Sequence, residues 1–385
     1  MNNNRKGFWG EVGMLNRCRV MAAVAVLGLL VGTGTAQEPG GAFVVGGWIP
    51  YGRKAEGCGR VLERLDRFTQ VSPFAFEMKK DGTLEDRCGL GAEPWTTLIK
   101  EARRRKVLVV PTVLATDAEA MHAVLSDPER RQAHVEAIVG LVEAGGYDGV
   151  DIDYEGKDVA DREYFSAFIA ELAAALKAKG RYLSATIEAR TRDDPPAGFT
   201  GTRAMAWAND LAVLNKYCDT VRVMAYDQYA LVNGAKEWQD DRDEMRAPLA
   251  ELGWVEKVVD YLTSRIEPDK LVLGIPTYGV EFAVSGEPEK WKYKQVAAVS
   301  YPEAVEIARA FDGVRQDTGG ELQFSFRRGT ERRLLTYTDH LSIGEKVTLA
   351  RDHGLAGVCF FKMDGLEPPK MWTALENPEP SAEKR

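Results

Sequence analysis

Three acidic residues alternate with apolar residues between Tyr147 and Glu155, and this segment carries the strongest chemical signal in the sequence. The segment reads Tyr-Asp-Gly-Val-Asp-Ile-Asp-Tyr-Glu. Side chains of a β-strand point alternately to its two faces, so Asp151, Asp153 and Glu155 would share one face. Neighbouring acids on that face would lie about 6.5–7 Å apart along the strand.

A row of carboxylates that points into a protein interior destabilises the folded state. Unpaired charges there cost several kcal/mol each through desolvation, and proteins rarely keep them without a use. The row therefore favours catalysis. Two alternatives are a site for Mg²⁺ or Ca²⁺, which prefer oxygen ligands, and a set of structural ion pairs.

The order of the acids along the strand indicates different roles. Glu155 is last, so it would lie nearest the C-terminal rim, where substrates of parallel barrels bind. Its acidic neighbours would raise its pKa, as suits a general acid. Asp151 and Asp153 lie deeper, and we expect mutual repulsion to make them hold one proton between them at neutral pH.

The alternation of short apolar and longer amphipathic segments predicts the strands and helices that could position this row. Strands are predicted at 43–48, 70–76, 107–113, 149–153, 182–187, 221–226, 271–277 and 356–361. Helices are predicted at 95–105, 127–144, 161–179, 254–265 and 343–353. This repetition predicts an α/β fold, a (β/α)₈ TIM barrel of parallel strands. The alternative, an open doubly wound sheet, is disfavoured because no Gly-rich nucleotide loop follows the first strand.

The interval between the seventh and eighth strands is longer than one crossover needs. It contains a helical pattern at 302–311 and polar, strand-like pieces at 322–326 and 333–338. We expect an α+β insertion at about 280–340 after strand 7, on the face where barrel active sites lie. The domain would cover 37–375, and the Pro- and charge-rich segment 376–385 is expected to be a disordered tail.

The N-terminal segment predicts secretion. Arg17 and Arg19 precede an apolar run at 20–31, and small residues follow at 32–36. This pattern is typical of a signal peptide, residues 1–36, and the apolar run is short for a membrane span. We expect an extracellular or periplasmic protein that is free of the membrane after cleavage. A retained N-terminal anchor is the alternative.

Composition excludes several other functions. The net charge is −8 without a basic cluster, which disfavours binding to nucleic acid or anionic lipid. The His and Cys residues show no metal-ligand spacing, so we expect neither metal nor cofactor. Cys58 and Cys88 lie in segments interpreted as loops, where an oxidising compartment could pair them. Cys218 and Cys359 are interpreted as buried thiols.

Three motifs resemble glycoside hydrolase family 18, the chitinase family. Residues 148–155 resemble its DGxDxDxE signature, 224–228 (Met-Ala-Tyr-Asp-Gln) its MxYD motif, and 270–279 its GxPxYG segment. The resemblance extends over about 43–375. Segments 71–82 and 339–342 resemble a bacterial branch with spore-cortex and peptidoglycan-associated members.

The resemblance implies a retaining, substrate-assisted mechanism, in which no protein side chain is the nucleophile. Glu155 would be the acid/base, Asp153 would orient the substrate's 2-acetamido group, and Asp151 would share its proton. Tyr226 would donate a hydrogen bond to the acetamide oxygen, and Asp227 would help to hold the sugar. Met224 and Gln228 of the same motif are further expected substrate contacts.

One position departs from the family pattern. Family members carry a Trp near the end of the eighth strand, and Phe361 is the nearest counterpart here. Aromatic residues at other strand ends are candidates for stacking on sugar rings, although core packing explains each equally well. They are Trp48, Phe74, Phe76 and Tyr278. Glu188, at the end of the fifth strand, is interpreted as a substrate contact or a rim charge.

The expected function is hydrolysis of β-linked N-acetylhexosamine glycans by a monomer. Chitin-type oligosaccharides, peptidoglycan and N-glycan cores are the candidate substrates. An inactive carbohydrate-binding protein of the same fold is the main alternative, although such relatives usually lack the terminal Glu. A metal-dependent barrel enzyme is the third, and it would lose activity with a chelator.

Overall fold

The computed structural model describes residues 42–233, 237–240, 242–311, 316–317 and 320–376. The predicted signal peptide lies outside the described residues, and so does the predicted tail beyond residue 376. Within the described residues, each helix is too short or too polar to cross a membrane.

Eight parallel strands form a closed barrel. They are β1 (Val44–Pro50), β2 (Gln70–Met78), β3 (Thr112–Ala115), β4 (Gly149–Tyr154), β5 (Tyr182–Glu188), β6 (Thr220–Met224), β7 (Leu271–Pro276) and β8 (Gly357–Phe361). Each strand pairs with the next, and β8 pairs with β1, which closes the barrel. The predicted barrel is therefore confirmed, and the open sheet is excluded. Two short strands also pair with β2, Leu108–Val109 in parallel and Leu84–Asp86 in antiparallel orientation.

The described helices surround the barrel, apart from α9 (Tyr301–Ala310), which packs on the insertion after β7. They are α1 (Lys54–Glu63), α2 (Trp95–Arg104), α3 (Ala118–Leu125), α4 (Pro128–Gly145), α5 (Arg162–Lys177), α6 (Leu211–Tyr217), α7 (Gln228–Asn233), α8 (Leu252–Thr263), α9 (Tyr301–Ala310), α10 (His340–Asp352) and α11 (Thr373–Glu376). Short 3₁₀ segments lie at Tyr51–Arg53, Leu65–Arg67, Val159–Asp161, Gly201–Ala208 and Pro268–Lys270.

The ends of α4 show how local sequence fixes a helix before the acidic strand. The Asp127 carboxylate accepts hydrogen bonds from the N–H groups of Glu129 and Arg130, which caps the N-terminus. Gly146 ends the helix in the left-handed conformation, with φ of 59°, where a side chain would be strained. The chain then turns directly into β4.

The main core lies between the barrel and its helices. It includes Val150, Ile152 and Tyr154, the apolar residues that alternate with the acids of β4. The Tyr154 ring stacks on Phe168 of α5, with the ring centroids 5.5 Å apart. This packing holds the outward face of β4, so the acids on the opposite face must point into the barrel.

The insertion after β7 is a separate antiparallel sheet with a helix. Its strands are Glu237–Asp240, Tyr278–Ser285, Trp291–Ser300, Gln316–Asp317, Leu322–Arg328 and Glu331–Tyr337, and its helix is α9. An α+β insertion was predicted here and is confirmed. The hairpin of Tyr278–Ser285 and Trp291–Ser300 was not predicted, nor was the strand contributed by the segment after β6.

The cysteine environments differ in part from the prediction. Cys58 lies in α1 and not in a loop, and both Cys58 and Cys88 are buried free thiols in the structure. The Cys88 thiol donates a hydrogen bond to the Phe74 carbonyl oxygen at 3.2 Å. Cys218 and Cys359 are also buried.

Candidate active site

Strand β4 carries the three acids from the barrel interior to its C-terminal rim. Asp151 is 0% exposed and Asp153 is 2% exposed, whereas Glu155, just beyond the end of the strand, is partly exposed. The Glu155 backbone N–H still donates to the Ala115 carbonyl oxygen at 2.8 Å, so the pairing with β3 holds the residue in line with the strand. The acids therefore follow a gradient from a closed interior to an accessible rim.

Asp151 is surrounded by hydrogen-bond donors. Its Oδ2 atom accepts from Trp48 Nε1 at 3.1 Å and from Thr112 Oγ1 at 2.9 Å. Thr186 Oγ1 lies 3.0 Å from the other oxygen, Oδ1. Arg222 Nη1 completes the set at 3.2 Å from Oδ2. Both oxygens of this carboxylate therefore have partners within the protein.

Asp153 has the opposite environment. Its Oδ1 atom is buried without a hydrogen-bond partner in the structure. The pKa of Asp153 is well above its ordinary value, first because burial disfavours the charged form, and then because Glu155, Asp151 and Glu188 add negative charge. Such an acid holds its proton more tightly than an ordinary Asp and offers an oxygen without a partner.

Glu155 has the protonation behaviour of a general acid. Burial raises its pKa to about 7, the negative charge of Glu188 adds to the rise, and the Lys157 ammonium opposes it. An acid whose pKa lies near neutrality can both give and take a proton under physiological conditions.

Glu188 belongs to a buried polar group beside Glu155. Its Oε2 atom lies 3.7 Å from Lys157 Nζ and accepts a hydrogen bond from Asn209 Nδ2 at 2.8 Å. Glu188 is 3% exposed and Lys157 is 1% exposed. Glu188 is therefore a paired, buried charge that acts on Glu155 electrostatically, and not an exposed rim charge.

The residues after β6 meet the insertion at the rim. The Tyr278 hydroxyl donates to Asp227 Oδ1 at 2.7 Å, which fixes that carboxylate. Tyr226 is 6% exposed, and burial together with the charges of Asp153 and Glu155 raises its pKa, so its hydroxyl stays protonated as a donor. Met224, on the same inward face of β6, is half-buried.

Aromatic rings gather around Phe361 at the end of β8. Its ring stacks on Tyr226 with centroids 5.5 Å apart and an angle of 8° between the planes. The rings of Trp48, Phe74 and Tyr278 lie 6.0–6.5 Å from it. Phe361 is partly exposed and thus presents an apolar surface beside the acids.

Three of the expected substrate contacts are engaged with other residues of the protein. Phe76 packs against Tyr147 in the main core, because the pairing of β2 with β3 shifts register between Phe74 and Phe76. The side-chain amide of Gln228 is bound to Glu251, because its Oε1 atom accepts from the Glu251 backbone N–H at 2.9 Å. Trp48 is 1% exposed, and its indole N–H donates to Asp151 inside the barrel.

Several buried polar residues around the acids of β4 were not predicted to belong to the site. They are Gln70, Ser72, Thr112, Thr186, Lys157, Asn209 and Arg222. Arg222 carried a recognisable signal, since it lies between two valines of an apolar strand and has the same parity as Met224 and Tyr226. A charge on the inward face of a barrel strand requires a partner, and Asp151 supplies it.

A metal centre finds no support in the part of the chain that the structure describes. No group of three or more His, Cys, Asp or Glu side chains there could hold an ion. The acids of β4 are instead divided between a paired Asp151 and two acids with raised pKa values. This arrangement can deliver a proton at the rim and place a negative or neutral carboxyl group beside it.

Comparisons with known proteins agree with this geometry. The model of the family described as "Glycosyl hydrolases family 18" matches residues 74–365. YdhD of Bacillus subtilis, named as a sporulation-specific glycosylase, is 24% identical over 75% of this chain and 64% of its own length. The cortical fragment-lytic enzyme of Bacillus anthracis is 23% identical over 80% of this chain and 67% of its own. The chain thus spans about two thirds of the length of these relatives.

A chitinase structure from Chromobacterium violaceum shows the same fold. It superposes with a TM-score of 0.71 at 21% identity, covering 88% of this chain and 99% of the other. The predicted resemblance to a branch with spore-cortex members is confirmed by the Bacillus relatives.

Proposed function

Because this chain belongs to the glycosyl hydrolases of family 18, we propose that it cleaves β-linked N-acetylhexosamine glycans by a retaining, substrate-assisted mechanism. Family membership makes the chain a glycoside hydrolase. The proposal adds the substrate's acetamido group as the nucleophile and Glu155 as the acid/base.

The observation that carries the proposal is the contrast between neighbouring acids on β4. Glu155 has a pKa of about 7, and Asp153 presents a buried Oδ1 atom without a partner. The amide N–H of a 2-acetamido group is a donor that would satisfy this oxygen. A polar atom left unpaired in an interior is costly, so a partner supplied by the substrate would stabilise the complex.

The first step joins these groups. Glu155 donates its proton to the glycosidic oxygen while the acetamido oxygen attacks the anomeric carbon. The bond to the leaving sugar breaks, and an oxazolinium ion forms. Asp153 accepts the acetamide N–H and faces the positive charge that develops, while the Tyr226 hydroxyl donates to the acetamide oxygen.

In the second step Glu155 acts as the base. Its carboxylate takes a proton from water, which attacks the anomeric carbon from the side the leaving group vacated. The oxazolinium ring opens and restores the acetamido group. Two inversions give a product with the configuration of the substrate, and Glu155 recovers its proton.

The partly exposed Phe361 ring would support the sugar bound next to Glu155. Its apolar face suits the C–H face of a pyranose ring. The proposed substrates are chitin-type oligosaccharides, peptidoglycan or N-glycan cores. The names of the Chromobacterium chitinase and the Bacillus cortical enzyme favour the first two.

Secretion is part of the proposal. The basic, apolar and small-residue segments at 1–36 are its support, and they lie outside the described residues. Sequencing the N-terminus of protein recovered outside the cytoplasm should find Gln37 first. Recovery of the whole chain in the membrane fraction would indicate the anchor instead.

The direct test compares wild type, Glu155→Gln and Glu256→Gln on β-linked N-acetylglucosamine oligomers that carry a chromogenic leaving group, with chelator present. Glu256 is an exposed residue of α8 and serves as the matched control. We expect wild type and the control to turn over equally and Glu155→Gln to lose about 10²-fold or more, as for removal of a general acid. The corresponding glucose oligomers should not react, because they lack the acetamido group.

Three outcomes would count against the proposal. Turnover that survives in Glu155→Gln would assign the acid elsewhere, and hydrolysis of glucose oligomers would exclude substrate assistance. Tight oligosaccharide binding without turnover in wild type would favour a carbohydrate-binding protein.

A further inference from the structure

Arg222 is a buried cation beneath the acids of β4. It is 0% exposed and lies on β6, across the barrel from β1 and β2. Its Nη1 atom donates to Ser72 Oγ at 2.9 Å and lies 3.2 Å from Asp151 Oδ2, and its Nη2 atom donates to Gln70 Oε1 at 2.6 Å. The guanidinium carbon is 5.3 Å from the centroid of the Trp48 ring.

These contacts fix the ionisation of Asp151. A guanidinium does not release its proton under conditions in which proteins are folded. A carboxylate that faces such a cation and accepts further hydrogen bonds is stabilised in its charged form. Trp48, Thr112 and Thr186 supply those further bonds. Asp151 and Arg222 thus form a buried pair of opposite charges.

We propose that Arg222 is a positioning residue for catalysis: it keeps Asp151 ionised and thereby confines the exchangeable proton of the acidic row to Asp153 and Glu155. The inference rests on the proposed function, because it assigns a role in that reaction. It also replaces the expectation that Asp151 and Asp153 share a proton. Without Arg222, that sharing would follow from their mutual repulsion.

The other titratable groups around Asp151 and Arg222 are neutral, so none of them can replace the charge of either residue. Cys359 and Cys218 are thiols whose pKa values are raised by burial, and the phenols of Tyr182 and Tyr226 have raised pKa values as well. All four are therefore neutral near pH 7.

The remaining charges that act on Asp153 lie on the rim side. Lys157 and Glu188 form a pair of opposite charges, 3.7 Å apart, that adds no net charge. Burial and neighbouring carboxylates raise the pKa values of Asp153 and Glu155, which places the exchangeable proton on these two acids.

Loss of the cation would change where the proton resides. Removing Arg222 takes away the positive charge that stabilises the charged forms of the nearby carboxyl groups. Asp151 would then bind a proton or share one with Asp153. Activity that needs Asp153 in its charged form would be lost at a higher pH than in wild type.

The test uses Arg222→Gln, which removes the charge but keeps an amide donor, and Arg222→Lys, which keeps the charge. Arg131→Met is the structural control, because it breaks the ion pair of a mostly buried arginine with Glu171 on the helical layer. The first readout is the pH dependence of kcat/KM on the chromogenic N-acetylglucosamine oligomer. The second is the infrared carbonyl band of protonated carboxylic acids at neutral pH, which needs no substrate.

We expect the acid limb of the Arg222→Gln profile to move up by about one pH unit or more. The carbonyl band should gain the intensity of one carboxylic acid. Arg222→Lys should retain the wild-type limb and band, and Arg131→Met should lower the melting temperature without moving either.

The proposal is overturned if Arg222→Gln is destabilised like Arg131→Met but keeps the wild-type limb and band. If Arg222→Gln does not fold, Arg222→Lys decides, since a shifted limb despite the retained charge would equally contradict it. If wild type does not hydrolyse the oligomer, the proposed function fails. The infrared band then still tests whether Arg222 fixes the ionisation of Asp151.

Discussion

The inner and outer ends of the acidic row on β4 differ in how their carboxyl groups are paired. At the inner end, three hydrogen-bond donors and the Arg222 guanidinium surround Asp151, and the guanidinium balances the charge of the carboxylate. At the rim, Asp153 keeps an unpartnered oxygen and Glu155 keeps a pKa of about 7. Both ends use the same residue types on one face of one strand. The difference shows that pairing, and not residue type, separates a fixed charge from an exchangeable proton.

The comparison also explains why the barrel tolerates acids in its interior. A barrel interior is normally filled with branched apolar side chains, and a buried charge is stable only when it is paired. Arg222 meets this requirement for Asp151. Asp153 and Glu155 meet it differently, because their raised pKa values let them carry a proton in place of a charge.

The largest effect on stability is expected for Asp151→Asn. This change leaves Arg222 buried without its counter-charge, and breaking a buried pair in this way costs about 3–5 kcal/mol. Urea unfolding monitored by tryptophan fluorescence measures the loss. Asp153→Asn is the matched control on the same face and should unfold close to wild type. Equal destabilisation of the two variants would show that the inner and outer acids are not paired differently.

A smaller, pH-dependent effect is expected for Glu155→Gln. In wild type the folded-state pKa of about 7 exceeds the ordinary value of 4.5, so the folded state binds the proton more tightly than the unfolded chain. The free energy of unfolding is therefore highest below about pH 4.5 and falls as the pH rises. Above about pH 7 it is lower by about 3 kcal/mol. A glutamine at position 155 cannot ionise and should escape this loss.

Thermal unfolding of the two proteins on either side of this window measures the effect. Glu155→Gln should match wild type near pH 4.5 and melt higher above pH 7. A variant that melts at the wild-type temperature above pH 7 would show that the pKa of Glu155 is not raised by the fold.

Much of this arrangement follows from local sequence. The apolar segments predict the eight strands, and the alternation of β4 predicts which face carries the acids. The insertion is also predictable in position, because the interval after β7 is too long for a crossover. Its hairpin is harder to predict, since Tyr278–Ser285 continues almost without a break from β7.

Long-range pairing could not be predicted in this way. Arg222 is recognisable as an unusual residue in an apolar strand, but its contacts with Asp151, Ser72 and Gln70 depend on how the barrel closes. Phe76 is expected at the site because it is an aromatic residue at the end of a strand, but a register shift within β2 turns it into the core. Such shifts leave no mark in a single strand's pattern.

The most direct test of the central claim follows the anomeric configuration of the first product by proton NMR. Wild-type enzyme is mixed with an N-acetylglucosamine oligomer, and the spectrum is recorded before mutarotation equilibrates the new reducing end. Substrate-assisted attack through the Asp153 and Glu155 pair predicts the β-anomer first. Initial formation of the α-anomer would mean that water attacks directly, and it would contradict this account of the site.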